Sequence, residues 1–231
     1  MNLELSGREL AETYVPHLRY DRAEPFALQG IGYTLYADSG RGTKSPSCSR
    51  IIKAPAGGMA IEYAFYYDFD IQHLYDLEHA FVYLDRGGQI AGVESSFHGK
   101  FLNSRIEGVT EYEDSHPILY VQPGKHALLP APAYFQLVID RDAACGSAAG
   151  ADGFLISPMF EGRLFTDKAL DRKIESYIRG KYAFEPSWEF TDESPDGRRM
   201  EELLMPYEEL DGLIVGRLTE WGRKIEEDSS V

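Results

Sequence analysis

The chain has 231 residues, of which 43% are hydrophobic and 13% aromatic, and it carries a formal net charge of −15 at pH 7. This length is enough to bury a full core, as one large domain or as one domain with an extension. The negative charge argues against nucleic acid and anionic membranes as general partners, and no apolar run reaches the length of a transmembrane helix.

The N-terminal residues show no basic start followed by an apolar core, so the sequence predicts no secretion signal. The chain has two cysteines, Cys48 and Cys145, which lie far apart and outside any metal-type spacing. We expect them to be reduced thiols. These features favour a cytoplasmic protein, with secretion as the alternative if a signal peptide has been removed.

The first half of the chain has a strand-like pattern. A short helix is expected to begin at Ser6, because Glu9 follows it in a capping box. Aromatic and β-branched residues then predict strands over residues 26–36 and 51–67. Strand pairs with Gly or Pro turns are expected over residues 79–99 and 116–129.

The last third changes to helical spacing, with apolar residues at intervals of three or four. We predict helices over residues 166–180 and 207–227. The order of elements predicts a mainly β, antiparallel sandwich of the jelly-roll or lectin-like kind, formed by about residues 20–140. A helical extension over about residues 160–231 completes a single domain.

A group of acidic and histidine residues lies between two aromatic strands. Asp76 and Glu78 point the same way if the strand begins near Asp76, since alternate residues share a face. Asp70 ends the preceding strand, and His73 follows in a short loop. Without a counter-ion, carboxylates this close force one or more of them to hold a proton.

A divalent cation would remove this conflict of like charges. Oxygen-rich ligation with one imidazole favours Mg²⁺, Mn²⁺ or Ca²⁺ over a zinc site. Two other interpretations stay open at this point. The acids are ordinary solvated residues at a hairpin tip, or the segment is a helix that places His73, Asp76 and His79 one turn apart. The Tyr, Phe and Val flanks argue against the helix.

The stretch IEYAFYYDFD followed by HLYDLE resembles the necrosis- and ethylene-inducing-like cytolysins. In that family an aromatic strand ends in Asp and is followed by a Gly-His-Arg-His-Asp-Trp-Glu motif. It is also similar to a family named for vacuolar protein sorting, of unknown function, with a His-x-x-Asp-Trp-Glu-His stretch. Matched by position, the resemblance implies that a divalent metal is held by four residues, namely Asp70, His73, Asp76 and Glu78.

The resemblance runs over residues 61–128 and implies a lectin- or actinoporin-type β-sandwich. Two further stretches agree with it, SSFHG at residues 95–99 and HPILYVQPGKHAL at residues 116–128. The chain departs from the motif at three positions, where Leu77 replaces Trp, Tyr75 replaces the second His and Gln72 replaces Gly.

The other histidines divide into two groups. His98 and His126 lie in or beside strands that lead to the same end of a sandwich, and we take them as candidates for proton transfer to a metal-bound water or a ligand. The equal alternative is that each is satisfied by a backbone carbonyl. His116 precedes Pro117 and is expected to shape the entry to a strand, His79 is expected to face away from the acids, and His17 has no identifiable partner.

Three functions follow from these observations. The first is a binding protein whose metal contacts a glycan or a phosphorylated or lipid head group. The second is a metal-dependent hydrolase of phosphoesters or glycosides, in which His98 or His126 moves a proton. The third is a structural cation only. The sequence leaves open whether the protein is an enzyme, and it specifies neither the metal, the ligand nor the oligomeric state.

Overall fold

A computed structural model of the protein describes residues 5–41, 50–139 and 141–228. The helices are α1 (Gly7–Tyr14), α2 (Lys168–Tyr182) and α3 (Tyr207–Glu227). The strands are β1 (His17–Asp21), β2 (Leu28–Tyr36), β3 (Gly40–Arg41), β4 (Ile51–Ile52), β5 (Met59–Phe69), β6 (His73–Leu84), β7 (Ile90–Phe97), β8 (Lys100–Asn103), β9 (Tyr112–Glu113), β10 (His116–Val121), β11 (Leu128–Leu129), β12 (Gly153–Phe154), β13 (Phe190–Thr191) and β14 (Leu204–Pro206).

The larger sheet has the strand order β14-β2-β5-β6-β7-β8, with β12 paired to β6. Its pairs are antiparallel, except that β14 runs parallel to β2 and β12 runs parallel to β6. Strand β5 is buried at every position, which explains why all its residues except Glu62 and Asp68 are apolar or aromatic.

The smaller sheet has the order β11-β10-β1-β13, with β9 on β10, and its pair β1–β10 is parallel. The two sheets face each other across a buried interface. The hydroxyl of Tyr20 on β1 lies 3.0 Å from that of Tyr67 on β5, and Ser95 on β7 donates to the carbonyl of Leu128 on β11 at 2.8 Å. The predicted mainly β sandwich is confirmed.

Helix α3 covers the other face of the larger sheet. A Cβ at Gly30 or Gly32 of β2 would come within 2.8 or 2.7 Å of the Leu210 side chain, so glycine is what permits this close packing. The Arg217 guanidinium on α3 donates to the buried Asp68 carboxylate of β5 at 2.7 Å. Both faces of β5 are therefore covered.

The predicted helices agree well with the structure. The capping box of Ser6 and Glu9 starts α1. Helix α2 is capped by Asp167 and begins two residues after the predicted start, and α3 has the predicted bounds. No helix in the described ranges is long and apolar enough to cross a membrane.

Two features of the fold were missed by the sequence prediction. Strand β1 was not expected, because its pairing with β10 and β13 joins segments far apart in the chain. The C-terminal part was expected to be helical, yet β12, β13 and β14 add strands to the two sheets.

Cys145 is a buried thiol whose Sγ donates to the carbonyl of Pro123 at 3.3 Å, whereas Cys48 lies outside the described residues.

Candidate functional site

A tight hairpin joins β5 to β6 and carries the first two predicted ligands. The amide of Asp70 donates to the carbonyl of His73 at 2.9 Å, and the amide of His73 donates back at 3.3 Å. The sequence placed His73 in a loop, but in the structure it is the first residue of β6. The amide of Ile71 donates to the carbonyl of Gly124 at 2.7 Å, which attaches the hairpin to the turn formed by residues 122–127.

The 122–127 turn can approach the hairpin because residue 124 is glycine. Gly124 has a φ of +67°, and a Cβ there would lie 2.9 Å from the Cβ of Ile71. The next residue, Lys125, places its Nζ 2.6 Å from Oδ2 of Asp70. The buried Asp70 also accepts the amide of Gln72 on Oδ1 at 2.6 Å, so both of its oxygens are occupied.

Asp76 and Glu78 occupy alternate positions of β6 and share the face that meets the smaller sheet. Oδ2 of Asp76 lies 2.8 Å from Nδ1 of His126, and Oδ1 accepts the amide of Leu77 at 2.8 Å. The carboxylate of Glu78 is hydrogen-bonded to the hydroxyl of Ser96 on β7. The opposite face of the same strand holds His79, whose Nδ1 lies 3.2 Å from Oε1 of Glu62. His79 therefore points away from Asp76 and Glu78, as predicted.

His126 is completely buried and is held between two acids. Its Nδ1 faces Asp76, and its Nε2 lies 3.5 Å from Oε1 of Glu24. The imidazole ring stacks on the ring of Tyr67 at 3.8 Å. Glu24 is fixed in turn by the amide of Gly124 at 2.7 Å. Burial alone lowers the pKa of His126, but the interactions with Asp76 and Glu24 outweigh it and raise the pKa to about 10. His126 is therefore an imidazolium at neutral pH.

Glu78 shows the conflict of like charges that the sequence predicts. Burial raises the pKa of Glu78 to about 8, and the neighbouring charges of Asp76 and Asp70 add to the shift. The hydrogen bond from Ser96 and the charge of His126 offset only part of it. At neutral pH Glu78 therefore keeps its proton, first because it is buried and second because Asp76 and Asp70 are negatively charged.

His73 completes this group with an unsatisfied nitrogen. Its Nε2 lies 3.8 Å from Oδ2 of Asp70, and its buried Nδ1 has no hydrogen-bond partner. A buried imidazole nitrogen without a partner is uncommon in a folded protein and is available to a ligand. The residues just described form what we call the hairpin site: Glu24, Asp70, His73, Asp76, Glu78, Lys125 and His126.

The structure places the two remaining candidates differently. His126 contacts the predicted ligand Asp76 directly. His98 is exposed, and its Nε2 lies 2.8 Å from the side-chain oxygen of Gln122. The main-chain carbonyl of Gln122 accepts a hydrogen bond from the amide of His126. His98 is thus attached to the turn that carries His126 and not to the acids.

Two members of the hairpin site, and the serine that is hydrogen-bonded to Glu78, were not found from the sequence. Lys125 contacts the acid Asp70, and Glu24 contacts the turn at Gly124, in both cases far away along the chain. Ser96 was noted only as part of a motif. The turn sequence QPGKH at residues 122–126 was visible, and it was the only available signal for Lys125. Glu24 lies 100 residues from Gly124, and nothing in its local sequence marks it.

The residues of the hairpin site are close, but they are not arranged as a tight chelate. Within residues 5–41, 50–139 and 141–228, one set of three acidic, histidine or cysteine side chains has its ligand atoms inside 4.8 Å of one another. That set is His17, His116 and Glu201, none of which belongs to the hairpin site. Binding of a cation by Asp70, His73, Asp76 and Glu78 therefore requires these side chains to turn towards a common centre.

Comparison with known proteins gives structural neighbours for the chain. No protein-family model and no curated protein matches it. It is similar to necrosis and ethylene inducing protein 2 from the causal agent of cocoa's witches' broom disease, with 24% identity over 70% of this chain and 91% of that one, and a TM-score of 0.35.

It is also similar to NLPPya in complex with glucosamine and with mannosamine, with TM-scores of 0.32 and 0.33 at 18% identity. Those two matches cover 52% of this chain and 63% or 65% of NLPPya, less than two thirds of its length. The neighbours are proteins of the kind that residues 61–128 resemble in sequence.

Proposed function

We propose that the hairpin site binds one divalent cation and that this ion recognises an oxygen-rich ligand, the hydroxyls of a glycan or the phosphate of a head group. Asp70, His73, Asp76 and Glu78 would hold the ion. When bound, it would supply positive charge and open coordination positions for ligand oxygens.

The observation that carries the proposal is the crowding of acids around Glu78, with Asp76 on the same face of β6 and Asp70 in the adjoining hairpin. Burial, followed by the charges of Asp76 and Asp70, raises the pKa of Glu78 to about 8, so the site holds an excess of acidic groups. This excess exists even though Lys125 and His126 already contribute two cations. A divalent ion would replace the proton of Glu78 and relieve the repulsion.

The position of His73 supports the same conclusion, because its Nε2 lies 3.8 Å from Oδ2 of Asp70. Three carboxylates and one imidazole form a mainly oxygen donor set, which favours Mg²⁺, Mn²⁺ or Ca²⁺. The ammonium of Lys125 now occupies one oxygen of Asp70 and would have to move aside. Its side chain is long and flexible, so this displacement requires no change in the backbone.

Binding is better supported than hydrolysis. A proton-transfer group must reach the ligand and must exchange its proton near the working pH. His126 is completely buried and pairs with Asp76 and Glu24, so its role would be to hold Asp76 in position. His98 is accessible, but its ring nitrogen is engaged by Gln122.

The test begins with the metal. Elemental analysis and thermal melting with and without chelator would show one ion per chain and a melting temperature that falls on chelation. The shift follows from mass action and corresponds to about 2.7 kcal/mol when the free ion is at about one hundred times Kd. Glu78→Gln should abolish it, whereas Glu220→Gln, a change to an exposed acid on α3, should not.

Ligand binding is then measured by calorimetry with glucosamine, mannosamine and inorganic phosphate, in the presence and absence of the ion. The amino sugars are chosen because two similar structures contain them. Saturable binding that needs the ion supports the proposal. Melting that ignores Mg²⁺, Ca²⁺, Mn²⁺ and chelator contradicts it, and turnover of phosphodiester or glycoside substrates would favour the hydrolase instead.

A further inference from the structure

A second group of metal-ligating side chains lies away from the hairpin site. It consists of His17 at the start of β1, His116 at the start of β10 and Glu201 in the 3₁₀ turn Met200–Leu203, and we call it the histidine cluster. The rings of His17 and His116 stack at 4.1 Å with an angle of 10° between their planes. Ligand atoms of the three residues lie within 4.8 Å of one another.

Both rings are hydrogen-bonded through Nδ1. Nδ1 of His116 lies 2.8 Å from the carbonyl of Val15, and Nδ1 of His17 lies 2.7 Å from a carboxylate oxygen of Glu113. Each acceptor requires a proton on Nδ1, so in a neutral ring Nε2 has a free lone pair. A second hydrogen bond of this kind, to a carbonyl or carboxylate, is the usual support of a metal-bound histidine.

The acidic neighbours are fixed in a matching way. Oε1 of Glu201 lies 3.4 Å from Nε2 of His17, while Oε2 of Glu201 lies 3.4 Å from Nε of Arg199. Glu113 is paired with Arg19 through its other oxygen. One oxygen of Glu201 is therefore directed at Nε2 of His17, and Glu113 orients the ring of His17 through Nδ1.

The two stacked rings have different partners. His17 has a glutamate oxygen near each ring nitrogen, whereas His116, lying parallel to it at 4.1 Å, makes its hydrogen bond to a main-chain carbonyl. Because the lone pair of Nε2 lies in the plane of its ring, parallel rings cannot both bind one ion, and binding requires the two rings to open out of the stack. Tetrahedral bonds of about 2.1 Å would then place the two Nε2 atoms about 3.4 Å apart.

The cluster also has an open side. His17, Arg19, Glu113 and Glu201 line a surface groove of about 690 Å³. We infer that His17, His116 and Glu201 bind one first-row transition-metal ion, with Zn²⁺ as the best fit, and that its fourth position faces this groove. Two imidazoles and one carboxylate with an open position form a donor set that zinc and its neighbours adopt, unlike the oxygen-rich hairpin site.

The three ligands come from distant parts of the chain, so the ion would also tie together β1, β10 and the turn before β14. The test uses the full chain in the presence of excess Mg²⁺, which does not compete for nitrogen-rich sites. Zn²⁺ is titrated against an indicator chelator, and Co²⁺ is added to record the visible absorption of a tetrahedral site. We expect one Zn²⁺ per chain and Co²⁺ bands of a nitrogen and oxygen donor set.

Three variants identify the ligands: His17→Gln, His116→Gln and Glu201→Gln. Each should weaken Zn²⁺ binding at least tenfold and alter the Co²⁺ bands, with circular dichroism confirming that the variant is folded. Glu107→Gln, a change to an exposed acid elsewhere, is the matched control. Zn²⁺ binding that survives all three variants, that is absent from the unaltered chain, or that is lost only in Glu78→Gln would overturn the inference.

Discussion

The ammonium of Lys125 lies 2.6 Å from Oδ2 of Asp70, one of the acids of the hairpin site. The side chain of Asp70 is 2% exposed and that of Lys125 is 14% exposed, so solvent screens this pair only weakly. The protein thus carries its own cation at the position where we expect a divalent one. The two cations compete for the same oxygen, and this competition sets how tightly the ion binds.

Replacing Lys125 by Met should therefore strengthen cation binding at the hairpin site. A hydrogen bond to a charged group contributes about 1.5–3 kcal/mol, so its loss should improve Kd by about tenfold or more. Isothermal calorimetry with Ca²⁺, Mg²⁺ and Mn²⁺ measures the change. Lys100→Met removes an exposed lysine of β8 and reports the effect of net charge alone. Equal gains in both variants would mean that Lys125 does not compete.

Cation binding should release a proton from Glu78. Because its pKa is about 8, affinity should rise with pH up to about pH 8 and then level off. Calorimetry in buffers of different ionisation enthalpy counts the protons released, and at pH 7 we expect nearly one per ion. The Glu78→Gln variant should neither bind the ion nor release a proton. A proton count that is the same in both proteins would show that Glu78 is not a ligand.

In chelator, Glu78 should make the free energy of unfolding fall as pH rises from about 4.5 to about 8. Folded Glu78 keeps its proton to about pH 8, whereas the unfolded side chain loses it near its ordinary value of 4.5, so rising pH destabilises the folded state. His126 acts in the same direction, because its stabilising charge is complete below pH 6.5 and is lost as pH approaches 10. Urea denaturation at several pH values measures the slope.

The slope separates the two groups. Glu78→Gln should reduce it below about pH 8 and leave the slope from pH 8 to 10, which belongs to His126. Glu220→Gln should follow the unaltered protein, since pairing with Lys224 on the same helix lowers the pKa of Glu220 and takes it out of this range. Stability that rises between pH 6.5 and 8 would contradict both assignments.

Replacing His126 by Gln should destabilise the protein by about 3–5 kcal/mol. The change removes one partner of a buried ion pair and leaves Asp76 and Glu24 without their shared cation. His98→Gln, at an exposed position, should change stability by no more than about 0.5 kcal/mol. Chemical denaturation compares the two variants, and similar losses in both would refute the central position of His126.

Gly124→Ala should loosen the contact between the hairpin and the 122–127 turn. A left-handed backbone costs a non-glycine residue about 1–2 kcal/mol, and the new methyl group would also press on Ile71. Gly99 is the matched control, because it has a φ of +75° with nothing within 4 Å of an added methyl group. Gly124→Ala should cost at least about 1 kcal/mol more than Gly99→Ala in the free energy of unfolding.

Sequence reasoning succeeded where the signal was local. The aromatic run of β5 and the apolar spacing of α3 determine those elements by themselves, and the alternation of Asp76 and Glu78 along β6 places both on one face. Each of these features depends on residues that are neighbours in the chain, and a periodicity of two or of 3.6 is enough to read them.

It failed where contacts join distant segments. His17 had no identifiable partner in the sequence and His116 was assigned only to the entry of a strand, yet the parallel pairing of β1 with β10 stacks their rings. Lys125 and Glu24 reach the hairpin site in the same non-local way. Tertiary pairing of this kind leaves no periodic trace in the local sequence.

The position of β1 between β10 and β13 has a consequence for how the chain is made. During synthesis β1 emerges early, but one neighbour begins at residue 116 and the other at residue 190, so the smaller sheet cannot close until most of the chain has left the ribosome. Pairings this distant slow folding to roughly milliseconds or seconds, which stopped-flow refolding would detect as a late phase. Until the smaller sheet forms, apolar side chains of β5 are exposed to solvent, and nascent chains of this protein are candidates for binding by chaperones.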